Sequence, residues 1–117
     1  MRLAVISDVH ANRIALDAVL EDMPPVDRTV CAGDVVGYNP WPSECVDRVR
    51  ELHAATIAGN HDRAVAGDTT FGFNSLAGAG VRYAKRHLSD AQIEWLRDLP
   101  TERRTANGRV HLVHGHP

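Results

Sequence analysis

The sequence predicts an α/β fold whose first half is a mostly parallel sheet. Short β-branched runs alternate with segments of helical periodicity, and each of the first three runs stops at a polar cluster. An Asn-Gly pair near the end marks a hairpin.

The run LAVIS at residues 3–7 is apolar and β-branched, which suits a strand buried on both faces, with Asp8 and His10 just past its end. From residue 11 to 23, Ile14, Ala15, Ala18 and Val19 recur at helical spacing until Pro24 and Pro25 stop the helix. A second buried strand is expected over RTVCAGD at 28–34, ending at Gly33-Asp34. The helix after it, at 41–53, carries a proline and a serine near its start and Val46, Val49 and Leu52 on one face. ATIAG at 55–59 reads as a third strand running into Asn60-His61-Asp62. Beyond a glycine-bearing loop at 67–74, Asn74 or Ser75 caps a helix to Leu88, with Leu76, Ala77, Val81 and Ala84 inward. Ser89 and Gln92 form a capping box for a last helix, in which Ile93 and Leu96 bury, with Trp95 a further candidate, before Pro100 ends it. Residues 101–115 then read as a hairpin about Asn107-Gly108, with His114 at the end of its second strand.

A chain of 117 residues holds one hydrophobic core, so residues 1–117 are expected to be a single domain or part of one. The net charge of -2 offers no basic field for a polyanion, which argues against nucleic-acid binding. Cys31 and Cys45 have neither CxxC spacing nor a disulfide framework, and no apolar run reaches membrane-spanning or signal-peptide length. The expected compartment is the cytoplasm.

In open α/β sheets, sites form beyond the carboxyl ends of the strands, where Asp8, His10, Asp34, Asn60, His61 and His114 all fall. Carboxylates gathered in one place repel unless a cation compensates. Asp-x-His puts an oxygen and a nitrogen donor on the same side of an extended segment. An aspartate at the next strand end can bridge two ions through its two oxygens, and an asparagine carbonyl with a histidine nitrogen can hold the second. Mixed oxygen and nitrogen ligands suit two divalent transition metal ions (Mn, Fe, Co, Ni or Zn) better than calcium or magnesium. Two ions about 3.5–4 Å apart acidify a shared water and clamp both oxygens of an in-line displacement, which suits phosphoester hydrolysis. On this reading His61 protonates the leaving oxygen or stabilises charge on the phosphate, and Asp62 orients His61 through its other ring nitrogen.

SDVHAN at 7–12, GDVVGYNP at 33–40, GNHD at 59–62 and LVHG at 112–115, in that order, resemble the calcineurin-like metallophosphoesterase superfamily, especially its small prokaryotic phosphodiesterases. The resemblance implies a β-sandwich flanked by helices (α/β/β/α). It implies Asp8, His10 and Asp34 on a first metal, with Asp34 as bridge and Asn60 and His114 on a second. His61 would be the catalytic histidine, backed by Asp62. The family's later Gly-His-x-His motif has no counterpart, since HGHP at 114–117 matches the earlier His-Gly motif. The resemblance is therefore to the N-terminal part of the family domain, and a truncated sandwich with open strand edges is expected. Such a piece is expected to self-associate, to swap elements with a second copy to complete the fold, or to be a fragment of a longer gene product.

The expected substrate is a small phosphoester or a nucleotide, cut at a phosphodiester or phosphomonoester bond by a metal-bridged hydroxide. The alternative is a catalytically weak relative that binds metal or phosphate and acts through association. A nucleotide-binding α/β domain without metals fits less well, because no Gly-rich loop follows the first strand. His116 reads as a solvated terminal histidine before it reads as a replacement ligand, and His53, His87 and His111 read as surface or satisfied core. Tyr38, Asn39 and Trp41 are candidates for the pocket mouth, with packing an equal reading for Trp41. Phe71 and Phe73 fit a lid or helix packing.

Overall fold

The computed structural model describes residues 1–67 and 72–115, so Phe71 and His116 lie outside the described residues. Strand β1 (Leu3–Ile6), helix α1 (Arg13–Asp22), strand β2 (Arg28–Cys31), helix α2 (Pro42–Glu51) and strand β3 (Ala55–Thr56) follow one another as two β-α units and a closing strand. They form a parallel sheet in the order β1-β2-β3. Helices α3 (Asn60–Ala66), α4 (Ser75–His87) and α5 (Asp90–Asp98) come next, and β4 (Glu102–Thr105) pairs antiparallel with β5 (Val110–Val113). The left-handed residues of the connecting turn are Ala106, Asn107 and Gly108, so the turn signal was correctly placed.

Two cores separate three layers. On one face of the parallel sheet, Ile6 and Cys31 pack against Leu16 of α1, Val46 and Val49 of α2, Val65 of α3, Val81 of α4 and Leu96 of α5. On the other face, Val30 and Ile57 meet Leu112 of β5. Among the described residues the order is helices, parallel sheet, antiparallel sheet.

Local chemistry fixes the helix ends. The Asn12 side chain accepts from the Ala15 N–H at the start of α1, and Asn74 does the same for Ala77 at the start of α4. Ser89 and Gln92 exchange the expected pair of capping hydrogen bonds. The Gln92 amide then reaches Ser43 Oγ at 2.9 Å and Asp47 Oδ1 at 3.0 Å, tying α5 to α2. Pro42 opens α2, where its missing N–H costs nothing.

Four expectations are corrected. Val5 is 60 % exposed, so β1 is not buried on both faces. It shares a face with its register partner Val30, but the cluster that Leu112 forms with Val30 and Ile57 takes in Leu3 of β1 and not Val5. The apolar stripe of α1 is likewise outward, with Ile14 62 % and Val19 50 % exposed, and the helix packs through Leu16, Leu20 and Met23. Leu76, expected inward, sits in the first turn of α4 and is 70 % exposed. Finally, β3 ends at Thr56 instead of running to residue 59, and Asn60-His61-Asp62 form the first turn of α3.

Candidate metal centre

The loops that follow β1 and β2 run side by side past the sheet edge. The backbone N–H groups of Asp8, His10 and Ala11 donate to the carbonyls of Gly33, Asp34 and Val35, each at 2.9 Å. Asp8, His10, Ala11 and Asp34 all adopt left-handed backbone conformations (φ 56°, 50°, 55° and 57°), which L residues occupy at a cost of roughly 1–2 kcal/mol each. Asp8 and His10 therefore converge through a turn and not through the alternation of an extended strand. His10 Nε2 lies 3.4 Å from Asp8 Oδ1 and 3.6 Å from Asp34 Oδ2.

His114, one residue past β5, brings the second sheet to the same point. Its Nε2 lies 3.2 Å from Asp34 Oδ2 and 3.2 Å from Asn60 Oδ1. Asp34 is 3 % exposed, and its two oxygens have different tasks. Oδ1 accepts the His61 N–H at 3.0 Å, while Oδ2 faces the Nε2 atoms of both His10 and His114. A bridge would thus run through one shared oxygen, not through the two that the sequence reading assumed.

The two histidines fit this role by tautomer. His10 Nδ1 meets the Val36 carbonyl at 3.2 Å and His114 Nδ1 meets the Ala32 carbonyl at 2.7 Å. A carbonyl oxygen only accepts, so each Nδ1 carries a proton and each Nε2 is the ring atom turned toward carboxylate oxygens. Carboxylate oxygens gathered this closely favour a cation among them. Donor atoms of Asp8, Asp34 and His114 lie within 4.8 Å of one another, as do those of His10, Asp34 and His61. The donor set is oxygen and nitrogen, as a divalent transition metal prefers, with second-sphere carbonyls already orienting both imidazoles.

His61 is 5 % exposed and packs among the rings of His10, Tyr38 and Phe73 at centroid distances of 4.8–4.9 Å. Phe73, half-buried, is thus a packing residue. Among the described residues, His61 Nδ1 is the buried side-chain polar atom with no hydrogen-bond partner. It sits over Gly37, where a Cβ would collide with it. Burial holds His61 below the ordinary imidazole range, opposed by the Asp34 carboxylate. A buried orphan acceptor is less costly than an orphan donor, so the neutral ring is best protonated at Nε2.

Asp62 is fully buried and does not back His61. Its Oδ2 accepts from the Asp34 and Gly59 N–H groups at 2.8 and 2.9 Å, and its Oδ1 from Val35 and Val36 at 2.9 and 3.2 Å. Three of these four bonds go to the loop that carries Asp34 and one to Gly59 at the start of α3, and the expected contact to the His61 ring is absent. Burial pushes its carboxyl up to about 6, with the Gly59 N–H pulling down and the Asp34 charge pushing further up.

The glycines beside the site residues were not read as part of it. A Cβ on Gly59 would overlap Asp34 Oδ1 and lie 2.5 Å from Asp34 N, and one on Gly33 would lie 2.6 Å from Gly59 N. The signal was available, since Gly33, Gly37 and Gly59 each directly precede a site-forming residue. Tyr38, at φ 64°, was singled out only as a candidate for the pocket mouth. Asn39 donates from Nδ2 to the His10 carbonyl at 2.9 Å. Trp41 packs under the Arg13 guanidinium, 5.4 Å from its ring centroid.

A family model described as calcineurin-like phosphoesterase matches residues 1–117. The chain belongs to that family. It is 34% identical over 120 residues to the uncharacterised protein MJ0912 of Methanocaldococcus jannaschii, covering 98% of this chain and 49% of the relative. The crystal structure of a metallophosphoesterase from Sphaerobacter thermophilus superposes with a TM-score of 0.77 at 41% identity, over 90% of this chain and 44% of that one. Protein PH1004 of Pyrococcus horikoshii OT3, at 19% identity, shares the fold with a TM-score of 0.75, over 94% of this chain and 52% of that one. This family chain thus spans about half the length of the relatives it matches. Its mixed α/β architecture is that of the metallophosphoesterase fold, and no described helix is long and apolar enough to cross a membrane.

Proposed function

We propose that this chain carries the metal-holding half of a phosphoesterase centre that cleaves phosphodiester or phosphomonoester bonds. The observation that carries the reading is Asp34 Oδ2 facing two histidine Nε2 atoms. Family membership and the 41% identical Sphaerobacter thermophilus metallophosphoesterase support it. Asp8, His10 and Asp34 would hold one divalent ion, and Asp34, Asn60 and His114 a second, drawn from Mn, Fe, Co, Ni or Zn. When bound, such ions supply positive charge that acidifies water toward neutrality and screens phosphate oxygens.

The remaining chemistry belongs to the chain. His61, neutral with its proton at Nε2, donates a hydrogen bond to the leaving oxygen or to a phosphate oxygen and so stabilises the charge that develops there. Its burial among His10, Tyr38 and Phe73 keeps water from competing for the donor. Asp62 fixes the 34–36 backbone, so the Asp34 carboxylate is aimed before any ligand arrives.

Calorimetric titration with Zn²⁺ and Mn²⁺, paired with hydrolysis of bis(p-nitrophenyl) phosphate, tests the reading. Two sites per chain with turnover, both lost in Asp34→Asn, are expected. Unchanged metal binding in Asp34→Asn would reject it. A second reading, a weakly active relative that works by association with another copy, is favoured by the exposed Val5, Ile14 and Val19 beside the site. A dimer in light scattering that becomes monomeric in Val5→Asp supports it, and a monomeric wild-type chain rejects it.

A further inference from the structure

Tyr38 stands at the mouth of the site at a conformational cost that packing alone does not explain. Bulky residues rarely adopt positive φ, and an outlier of this kind at a site is grounds for a functional inference. The conformation is held from behind. Helix α4 approaches so closely that a Cβ on Gly80 would lie 2.5 Å from Tyr38 N, and the neighbouring Asn39 is tied to the His10 carbonyl. The ring nevertheless remains 43 % exposed while touching His10 and His61 at 4.9 and 4.8 Å. A rigid aromatic surface is thus presented to solvent directly beside the metal-site residues.

Hollows lie on both sides of it. The one along β1 and α1, about 510 Å³, has no lysine or arginine in its lining and is walled by apolar residues such as Val5, Leu16 and Val19. The other, about 320 Å³, runs between Tyr38-Pro40 and α4, where Leu76, Tyr83 and Arg86 complete it. Its size is at the lower end for a small-molecule site. Tyr83 anchors the opposite wall by donating from its hydroxyl to the Pro40 carbonyl at 3.3 Å. Arg86 is exposed and has no ion-pair partner among the described residues.

We propose that the cleft between Tyr38 and α4 seats the organic group of the substrate, a flat aromatic ring carrying further negative charge, as in a nucleotide. The inference rests on the phosphoesterase reading and adds the substrate class. The ring of the substrate stacks on Tyr38 between the apolar edges of Pro40 and Leu76, and Arg86 meets a phosphate that does not react. The hollow beside β1 offers such a charge no cationic partner.

Calorimetry on the Zn²⁺-loaded chain with two probes tests this: adenosine 5′-(α,β-methylene)diphosphate, and methylenediphosphonate, which has the same charged part without the nucleoside. The expected result is that the nucleoside tightens binding about tenfold, as one base stacked on an aromatic side chain does. Tyr38→Asn, whose side chain tolerates the left-handed backbone, removes that advantage, so that the two probes bind the variant alike. Tyr38→Phe retains it, and Arg86→Gln weakens the nucleotide several-fold. Equal affinity of the wild-type chain for the two probes overturns the proposal, as does an advantage that survives Tyr38→Asn. Failure of the phosphoesterase reading has a separate signature, namely methylenediphosphonate binding that does not depend on Zn²⁺.

Discussion

Gly59→Ala tests whether the bare backbone at residue 59 shapes the site. Gly59 has φ -85° and ψ 177°, an extended conformation open to any residue, so alanine brings no backbone strain. Its methyl group, however, would overlap Asp34 Oδ1 and stand 2.7 Å from Asp34 Cγ. Either the carboxylate swings away or the 58–60 backbone moves. Overpacking of this kind costs about 1–3 kcal/mol. With a urea slope of about 2 kcal/mol/M, a loss of about 2 kcal/mol lowers the midpoint by roughly 1 M. Because Asp34 lies in both candidate ligand groups, Zn²⁺ affinity should fall by about 10–100-fold, as when other supporting contacts of a metal site are disturbed. Gly108→Ala is the control. It has nothing within 4 Å but sits at φ 80°, so it should cost roughly 1 kcal/mol through strain and leave metal binding intact. Wild-type Zn²⁺ affinity in Gly59→Ala would refute the reasoning.

Other variants probe single atoms. His61→Ala should retain Zn²⁺ binding while losing turnover by about 10²–10³-fold, as expected for a hydrogen-bond donor to developing charge; loss of metal instead would make His61 a ligand. The Asp62 carboxyl titrates near 6 in the fold against 3.8 in the free side chain, so the native chain holds a proton that the unfolded chain releases. Its contribution to stability is therefore full below pH 3.8 and lost as pH rises through 6, a change of about 3 kcal/mol at 1.36 kcal/mol per unit. Asp62→Asn lacks this slope, so urea midpoints of the two proteins at pH 4.5 and pH 7.5 should converge or cross as pH rises; parallel midpoints would refute it. Burial pushes the thiols of Cys31 and Cys45 up to about 12, so both should resist a thiol reagent at pH 8 until urea unfolds the chain.

Features governed by neighbours in sequence were legible from the residues alone. The Asn74 and Ser89 caps, the Pro42 start of α2 and the Asn107-Gly108 turn depend on groups within four residues of one another. The convergence of Asp8, His10 and Asp34 was also legible, because strand ends in a parallel sheet meet at one edge; His114 joins them from the antiparallel sheet. What failed depends on contacts across the chain. The exposure of Val5 follows from its lying outside the cluster around Leu112, and nothing in LAVIS encodes that limit. Asp62 next to His61 suggested a dyad, but its burial under the 34–36 loop is decided by four backbone donors, three of them more than twenty-five residues away. The close approach of α4 behind Tyr38, forty residues on, runs through Gly80, a glycine that carries no distinctive local signal.

The hydrogen bonds to Asp62 separate two events that many small metal proteins perform as one. In a zinc finger the ion brings its ligands together, so loading and folding cannot be told apart. Here the backbone around Asp34 is already gathered by a side chain of the protein itself, in the manner of a tether drawn tight from inside. A cation bound there would meet a backbone already ordered, and the ordering of that loop belongs to the folding reaction. Stripping such an ion should then leave a folded chain, and the choice among competing metals would fall to the fit of the donor atoms and not to which ion folds the chain best.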